Sequence, residues 1–167
     1  MNRPLAVIAI TGMLANVALA QSADEVTKTR DQIWAKELAI YAGRAKGDTS
    51  YYYENSSVDY LAWVYGTPKP FRRDSLAASR ATMRNQDKEK ITTEFKDFSL
   101  HGDTAIIYYV NHRTMKPDGT AVDQFFDNIH VWVLEGGTWK VLASMSRLQT
   151  PGGNTVASPP PSRSPGE

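Results

Sequence analysis

The spacing of the apolar residues changes once along this chain, near Lys90, and this change constrains the fold more than any other feature. Between Asp24 and Lys46 the apolar residues recur every three, four or seven positions, as on one face of an α-helix. After Lys90 they recur at every second position, which is typical of half-buried strands. Helices followed by an antiparallel meander predict an α+β domain with the helices packed on one face of the sheet.

Turn-forming residues divide the chain into elements. Gly47 ends the first helix, the segment 51–65 is predicted to form one or two short helices, and the Pro- and Gly-containing segment 66–71 forms a loop. Asp74 begins a third helix that ends near Arg84. Four strands follow, over residues 91–100, 104–115, 121–134 and 139–148.

Both ends of the chain are predicted to lie outside the folded domain. Residues 1–20 combine a basic Arg3, an apolar stretch and small residues before the cleavage position, which indicates a secretory signal peptide cleaved after Ala20. The alternative is a membrane anchor, since the stretch lies at the lower edge of the roughly 17–25 residues that span a bilayer. Residues 150–167 are rich in Pro, Gly and Ser, as in disordered extensions. We expect an exported protein, periplasmic or secreted, whose single domain occupies residues 21–149.

The composition excludes several functional classes. The chain has 19 Lys and Arg against 18 Asp and Glu, so it lacks the excess positive charge that nucleic-acid and polybasic membrane surfaces need. It contains no Cys, which excludes disulfides, a thiol nucleophile and Cys-ligated zinc. The three His residues do not share a metal-ligand spacing. We therefore expect no metal, no cofactor, and no nucleic-acid or membrane partner.

The last two hairpins determine which side chains share a face of the sheet. We predict three-residue loops at 117–119 and 135–137, which place Lys116 opposite Thr120 and Leu134 opposite Thr138. Since directly opposed side chains share a face, one face is apolar and becomes polar at one end. The polar end carries Tyr109, Asn111, Asp123 and Asp127. This arrangement is typical of a pocket wall.

The opposite face of the predicted sheet is also apolar. A monomer seldom exposes such a contiguous apolar surface, so we expect this face to form a homodimer. The interface residues would be Tyr108, Val110, Phe126, His130 and Trp132.

Asp127 and Tyr109 are the candidate catalytic residues. The predicted register buries Asp127 between Tyr109 and Met145, where it could act as a general acid or base, or anchor a ligand. The alternative is a wall residue that is paired with Tyr109 or with an Arg from the helices. A register shift of one residue would turn Asp127 to the other face. The candidate binding residues are Tyr41, Asp59, Tyr60, Trp63, Asn111, Phe125 and Met145.

Short motifs in a fixed order carry a resemblance to a known family. Gly47-Asp48 follows the first helix, and the meander contains Gly102-Asp103-Thr104-Ala105, Val131-Trp132-Val133 and Gly137-Thr138-Trp139-Lys140-Val141. Over residues 26–147 the chain resembles the nuclear-transport-factor-2-like superfamily, in particular its bacterial branch related to ketosteroid isomerases and polyketide cyclases. The resemblance implies a curved, mostly antiparallel sheet of four or more strands around a helix-covered conical cavity, and dimers that form through the outer face of the sheet.

The catalytic residues of the steroid isomerases do not carry over with the resemblance. Those enzymes use a general-base aspartate and an oxyanion site made of a tyrosine and a neutral aspartic acid. The matching positions fall near 40–41, 63–64 and Ile129, where only Tyr41 has a corresponding side chain. The acids that the mechanism needs are absent.

We therefore predict an exported, dimeric domain whose cavity binds a small, largely apolar molecule, with no catalysis assigned. The alternative is an isomerase, cyclase or dehydratase that acts on a small carbonyl compound by proton transfer through Asp127 and Tyr109. A second alternative is a protein-interaction module in which side chains fill the cavity.

Overall fold

Three helices cover one side of the sheet in the computed structural model, which describes residues 22–84 and 86–150. The first helix, α1 (Ala23–Arg44), begins where the Ser22 hydroxyl accepts a hydrogen bond from the Glu25 amide, 3.1 Å away. The second, α2 (Ser50–Glu54), is a single short segment, and α3 (Arg73–Met83) follows the loop after the first two strands. These three helices match the predicted first and third helices and the beginning of the predicted segment 51–65.

Six strands form one mixed, mostly antiparallel and unclosed sheet. The strands are β1 (Ser56–Trp63), β2 (Phe71–Arg72), β3 (Lys90–His101), β4 (Thr104–Met115), β5 (Ala121–Glu135) and β6 (Thr138–Leu148). Their order across the sheet is β2-β1-β6-β5-β4-β3, and only the β1–β6 pair is parallel. The predicted α+β class, with a curved sheet packed against helices, is confirmed.

The prediction of helices throughout 51–65 is wrong beyond Glu54. Residues 56–63 form β1, in which Tyr60 and Ala62 are buried while Leu61 and Trp63 are exposed. This alternation has the period of a strand that is buried on one face. The aromatic and β-branched residues of the segment also favour a strand over a helix.

The β4–β5 hairpin begins in the predicted register and then leaves it. Lys116 donates its amide to the Thr120 carbonyl, as predicted for a three-residue loop. A bulge follows, because Met115 pairs with Ala121 whereas Arg113 pairs with Gln124. β5 thus carries one extra residue, and every later residue of β5 points to the opposite face from the one predicted.

The β5–β6 hairpin differs from the prediction at its turn. Glu135 pairs with Thr138, so the loop has two residues, Gly136 and Gly137, with φ values of 56° and 77°. Only glycine adopts such angles readily, and a two-residue loop of this kind matches the twist of paired strands. A second bulge between Val131 and Trp132 shifts the pairing again.

The helix-covered face of the sheet, here called the inner face, therefore differs from the predicted pocket wall. It keeps Ala105, Ile107, Tyr109 and Asn111 from β4, and these side chains are buried. From β5, however, it takes Phe126, Asn128, His130 and Trp132, which are also buried. The prediction that Phe126, His130 and Trp132 lie on the dimer face is wrong. Asp127, Ile129, Val131 and Val133 occupy the other face, called the outer face.

The proposed signal peptide, residues 1–20, lies outside the described residues, and so does the proposed tail beyond Thr150. In the described part of the chain, no helix is both long enough and apolar enough to cross a membrane.

Candidate functional site

A cavity of about 290 Å³ opens between the helices and the polar end of the inner face. Most of its wall is aromatic or aliphatic, from Tyr41 of α1, Tyr52 of α2, Leu76 and Met83 of α3, and Phe126 of β5. Asn111, Asn128, His130 and Ser146 provide polar atoms on the sheet side. This volume is at the lower limit of ligand pockets, which range over roughly 300–1,000 Å³, so the cavity has room for a small molecule only.

His130 lies at the centre of a buried network of hydroxyl groups. Its Nε2 atom is 3.1 Å from the Tyr109 hydroxyl and 3.2 Å from the Tyr52 hydroxyl. The Tyr109 hydroxyl is in turn 2.9 Å from that of Tyr41. On the other side, the Tyr52 hydroxyl lies 2.5 Å from the Ser144 hydroxyl. The polar floor of the cavity is therefore connected from α1 and α2 to β6.

The orientation of His130 is determined by Glu37, a residue of α1 that is completely buried. The Oε1 atom of Glu37 accepts a hydrogen bond from Nε1 of Trp132 at 2.8 Å, and it lies 2.8 Å from Nδ1 of His130. With Nδ1 protonated towards Glu37, Nε2 is left to face the tyrosine hydroxyls. The second carboxylate oxygen of Glu37 has no hydrogen-bond partner among the described residues.

Burial keeps the tyrosines of the network protonated. It raises the pKa of Tyr41 to about 12, because an ionised phenol would lose its solvation there. The pKa values of Tyr52, Tyr60 and Tyr109 are also raised, and burial is again the main cause. At neutral pH these hydroxyls can donate hydrogen bonds to a ligand or relay a proton, but they are not phenolates.

Two arginines approach the cavity from α1 and β4. Arg44 Nη2 and Arg113 Nε each lie 3.0 Å from the same oxygen of Glu89, whose side chain is fully buried. Burial disfavours the charged form of both arginines. The Glu89 carboxylate opposes this effect, so the pKa of Arg44 is raised overall whereas that of Arg113 is lowered. Asp123, which was predicted at the polar end of the pocket wall, does not take part in this cluster: its side chain is 81% exposed and lies 2.7 Å from Nε2 of His112.

The structure brings four of the predicted site residues together. Tyr41, Tyr60 and Asn111 line the cavity, and Tyr109 is buried directly behind Tyr41. Tyr60 joins the same network, because its hydroxyl lies 2.8 Å from that of Tyr52.

The other predicted site residues lie elsewhere. Asp127 is on the outer face, where its carboxylate accepts hydrogen bonds from Arg147 and Gln149, both at 2.7 Å. The prediction that it lines the cavity is wrong, and the physical reason is the extra residue in β5. Phe125 turns outward with it and stacks on His112, with the two ring centroids 4.1 Å apart. Asp59 is exposed and does not line the cavity.

Met145 and Trp63 lie at the edge of the site. Met145 touches the cavity, but its side chain is 57% exposed. Trp63 is 54% exposed and donates its indole N–H to the Thr67 carbonyl at 3.3 Å. Both residues line a second groove on the outer face.

The sequence interpretation missed several site residues, among them Glu37, Glu89 and His130, and also Tyr52, Asn128 and the two arginines Arg44 and Arg113. Glu37 could have been found, because it stands on the apolar stripe of α1 between Ile33 and Ile40, where an unpaired charge is costly. Glu89 stands in the sequence Lys88-Glu89-Lys90, which suggests a solvated charge run, and nothing local indicates its burial. His130 was assigned to the wrong face by the register.

The outer-face groove has a volume of about 250 Å³ and an almost wholly apolar wall. β1 and β6 contribute Leu61, Trp63 and Met145, while β5 contributes Ile129 and Val131. The first three of these side chains are between 42% and 57% exposed. Among the described residues, no group of three or more His, Asp or Glu is arranged to hold a metal ion.

Comparison with known proteins identifies the fold. No protein-family model matches the chain, and no curated protein gave a significant sequence match. Solved structures do match: a provisionally named dehydratase of the NTF2-like (nuclear-transport-factor-2-like) family from Streptomyces avermitilis has a TM-score of 0.65 at 16% identity, over 75% of this chain and 99% of that one. A provisionally named ketosteroid isomerase from Parabacteroides distasonis has a TM-score of 0.58 at 11% identity, over 72% and 88% of the two chains.

A third similar structure is an NTF2-like protein of unknown function from Silicibacter pomeroyi, with a TM-score of 0.56 at 14% identity over 74% of this chain and 98% of that one. The resemblance stated from the motifs is thus confirmed at the level of the fold. The chain has the nuclear-transport-factor-2-like fold, and proteins with this fold have different or unassigned functions.

Proposed function

We propose that this nuclear-transport-factor-2-like domain binds a small, largely apolar molecule in the cavity between its helices and the inner face. The observation that carries the proposal is the composition of the cavity wall, which is mainly aromatic and aliphatic but has a hydrogen-bonded floor around His130. An apolar wall with a few convergent polar groups is the usual composition of small-molecule sites, in which the polar groups determine the ligand's orientation. The alternative of a protein-interaction module with a filled cavity is disfavoured by a space of about 290 Å³.

Proton transfer at the same site is the second candidate function, and it is supported by the Glu37–His130 pair. A histidine that is oriented by a buried carboxylate and lies in a cavity wall has the arrangement of a general acid or base. Tyr52 lines the cavity and lies 3.2 Å from His130 Nε2, so its hydroxyl could pass a proton between His130 and a bound carbonyl compound. In this form of the isomerase, cyclase or dehydratase hypothesis, His130 and Glu37 replace Asp127, whereas Tyr109 keeps a supporting role.

Self-association through the outer face is part of the proposal. The groove formed by Leu61, Trp63 and Met145 continues along Ile129 and Val131, and a monomer would leave this apolar surface in water. A second copy of the chain is the simplest partner because the sheet face can pair with itself around a twofold axis. Tyr108 and Val110 remain in the proposed interface, while Phe126, His130 and Trp132 leave it.

Export is also proposed, on the basis of the first 20 residues. The absence of Cys is compatible with an oxidising compartment, because the domain needs no disulfides if it has a sufficient core. Intact-mass measurement of the chain recovered from its host tests this proposal. A mass that begins at Gln21 supports it, and a mass that includes Met1 contradicts it.

Native mass spectrometry of the protein purified without refolding tests ligand binding. We expect a dimer that carries a small molecule. Ser79 lines the cavity from α3, so a Ser79→Phe substitution would fill the space and should abolish the bound mass. Ser75→Phe changes an exposed residue of the same helix in the same way and should leave the bound mass intact. Equal retention of the ligand by both variants would contradict the assignment of the cavity.

A further inference from the structure

The charge of the cavity wall is positive at one end. Of the described residues that line the cavity, Arg44 and Arg113 are the only ones whose side chains carry a permanent charge. Each guanidinium also lies over an aromatic ring, with Arg44 5.4 Å from the centroid of Tyr41 and Arg113 4.8 Å from that of Phe126. Both positive groups are therefore held in place at the wall.

One carboxylate serves both arginines. Arg44 and Arg113 contact the same oxygen of Glu89, and Glu89 does not itself line the cavity. Two positive charges thus stand against one negative charge at this end. The contact of Arg113 Nε is at ion-pair distance but is not aligned as a hydrogen bond, so this buried N–H has no hydrogen-bond partner among the described residues. Apart from these contacts with Glu89, no hydrogen bond joins the side-chain donors of the two guanidinium groups to a described residue.

Asn111 provides an independent indication of a ligand at the same place. Asn111 is 3% exposed and lines the cavity. Its side-chain oxygen, Oδ1, is an acceptor that has no hydrogen-bond partner among the described residues. An unpartnered buried amide atom costs free energy, which a polar group on a ligand would recover. Asn111 and Arg113 lie two residues apart on β4, so both side chains project from the same face of the strand.

The carboxyl group of Glu37 is also near the cavity, but it does not cancel this positive charge at the wall. Glu37 lies behind His130, and its Oε1 atom is already engaged by Trp132 and His130. It does not line the cavity. A ligand therefore meets guanidinium groups at one end and neutral aromatic or aliphatic side chains over most of the remaining surface.

We infer that the ligand of this cavity is a small organic acid, with a carboxylate bound by Arg44 and Arg113 and an apolar body among the aromatic side chains. This inference rests on the proposed function and names the chemical class of its ligand. Guanidinium groups are suited to carboxylates because their N–H groups match the two carboxylate oxygens. A hydroxyl or amide N–H on the ligand would complete the hydrogen bonds of Asn111.

A panel of small aromatic and alicyclic acids, each paired with its primary amide, tests the inference. Phenylacetate and phenylacetamide form one such pair, since they share their apolar body and differ in charge. Saturation-transfer NMR and calorimetric titration with the full chain should show acids that bind at least about tenfold more tightly than their amides, as expected for charge-assisted hydrogen bonds. Arg113→Gln should remove this preference, whereas Arg30→Gln, on the exposed surface of α1, should retain it.

Glu89→Gln provides a second, opposite change. It keeps the shape of the side chain but removes the negative charge that the two arginines share, so the acid should bind several-fold more tightly than it binds the unaltered protein. If Glu89→Gln instead lost acid binding while it still bound the amides, the inference would be contradicted, because damage to the fold would weaken both classes.

The results distinguish the two levels of the proposal. If acids and amides bind equally well, the cavity binds small molecules but the inference about charge is overturned. If neither class binds across the panel, the proposed function fails together with the inference. If Arg113→Gln loses the preference for acids and Arg30→Gln retains it, the result supports both the proposed function and the inference about the ligand's charge.

Discussion

Nδ1 of His130 lies 2.8 Å from Oε1 of Glu37, and the two buried side chains connect the middle of α1 to the centre of the sheet. The same oxygen accepts the indole N–H of Trp132. One carboxylate thus holds two residues of β5 in the conformations that shape the cavity floor. Because these side chains are buried, the loss of the Glu37 carboxylate would leave the indole N–H of Trp132 without water or hydrogen bond.

Replacing Glu37 tests the importance of this connection. Glu37→Gln keeps an acceptor for Trp132 but removes the charge that faces His130, so the free energy of unfolding should fall by about 1–3 kcal/mol. Urea denaturation followed by tryptophan fluorescence measures the change. Glu54→Gln, an exposed substitution of the same kind, is the control and should have almost no effect. Equal stability of the two variants would show that the Glu37 contacts contribute little.

The stability of the protein should fall in alkaline solution. Folded Tyr41 has a pKa of about 12 against its ordinary value of 10.0, so it stays protonated where the unfolded chain loses the proton. The unfolded state then binds fewer protons, and the free energy of unfolding declines as the pH rises from about 10 to about 12. For Tyr41 alone the difference corresponds to about 3 kcal/mol.

Phenolate absorbance near 295 nm measures this titration. We expect a late step, from the four buried tyrosines with raised pKa values, that shifts to lower pH when the chain is unfolded. Tyr41→Phe should reduce that step and flatten the dependence of stability on pH. Tyr51→Phe, which alters an exposed ring, is the control.

Asp127→Asn should be a mild substitution. Asp127 pairs with Arg147 on the outer face, where the Arg147 side chain is 77% exposed, and surface ion pairs of this kind contribute about 0–1 kcal/mol. Calorimetric melting should show a small change, and binding in the cavity should be unaltered. Loss of binding in this variant would instead favour the register in which Asp127 faces the cavity.

Leu61→Glu should abolish the proposed self-association and leave a monomer. Leu61 is 42% exposed in the outer-face groove, and a carboxylate there would have to be buried between two copies of the sheet. Sedimentation velocity at micromolar concentration measures the change. Leu38→Glu is a matched control, because Leu38 is 44% exposed on α1, away from the groove, and its substitution should not change the self-association. A monomeric parent protein would contradict the proposed interface.

Local patterns were sufficient to predict most of the fold. The helical spacing of α1, the alternation in β3 to β6 and the turn residues at Gly102 and Gly119 are short-range features, because neighbouring residues decide them. The strands β4, β5 and β6 begin and end within one residue of their predicted positions. β1 was predicted as helix because Tyr51-Tyr52-Tyr53 continues the helical region and masks the alternation that starts at Ser56.

The composition of the site was decided by pairings between strands. One extra residue in β5 after Ala121 and the two-residue turn at Gly136 change which side chains face the helices. As a result, His130 lies on the inner face and Asp127 on the outer face, which is the reverse of the prediction. Both residues are in a strand, as predicted. Such a shift leaves the alternation along the strand intact, so the sequence pattern contains no signal for it.

The sequence by itself determined the fold class and the positions of most strands. It also showed that both faces of the sheet carry apolar residues. Only the tertiary structure decided that Glu37 meets His130, and that Glu89 is buried between Arg44 and Arg113. The physical reason is range: hydrophobic periodicity acts over a few residues, whereas these contacts join residues that are 24 to 93 positions apart. Their geometry depends on bulges and on helix packing, which no single segment encodes.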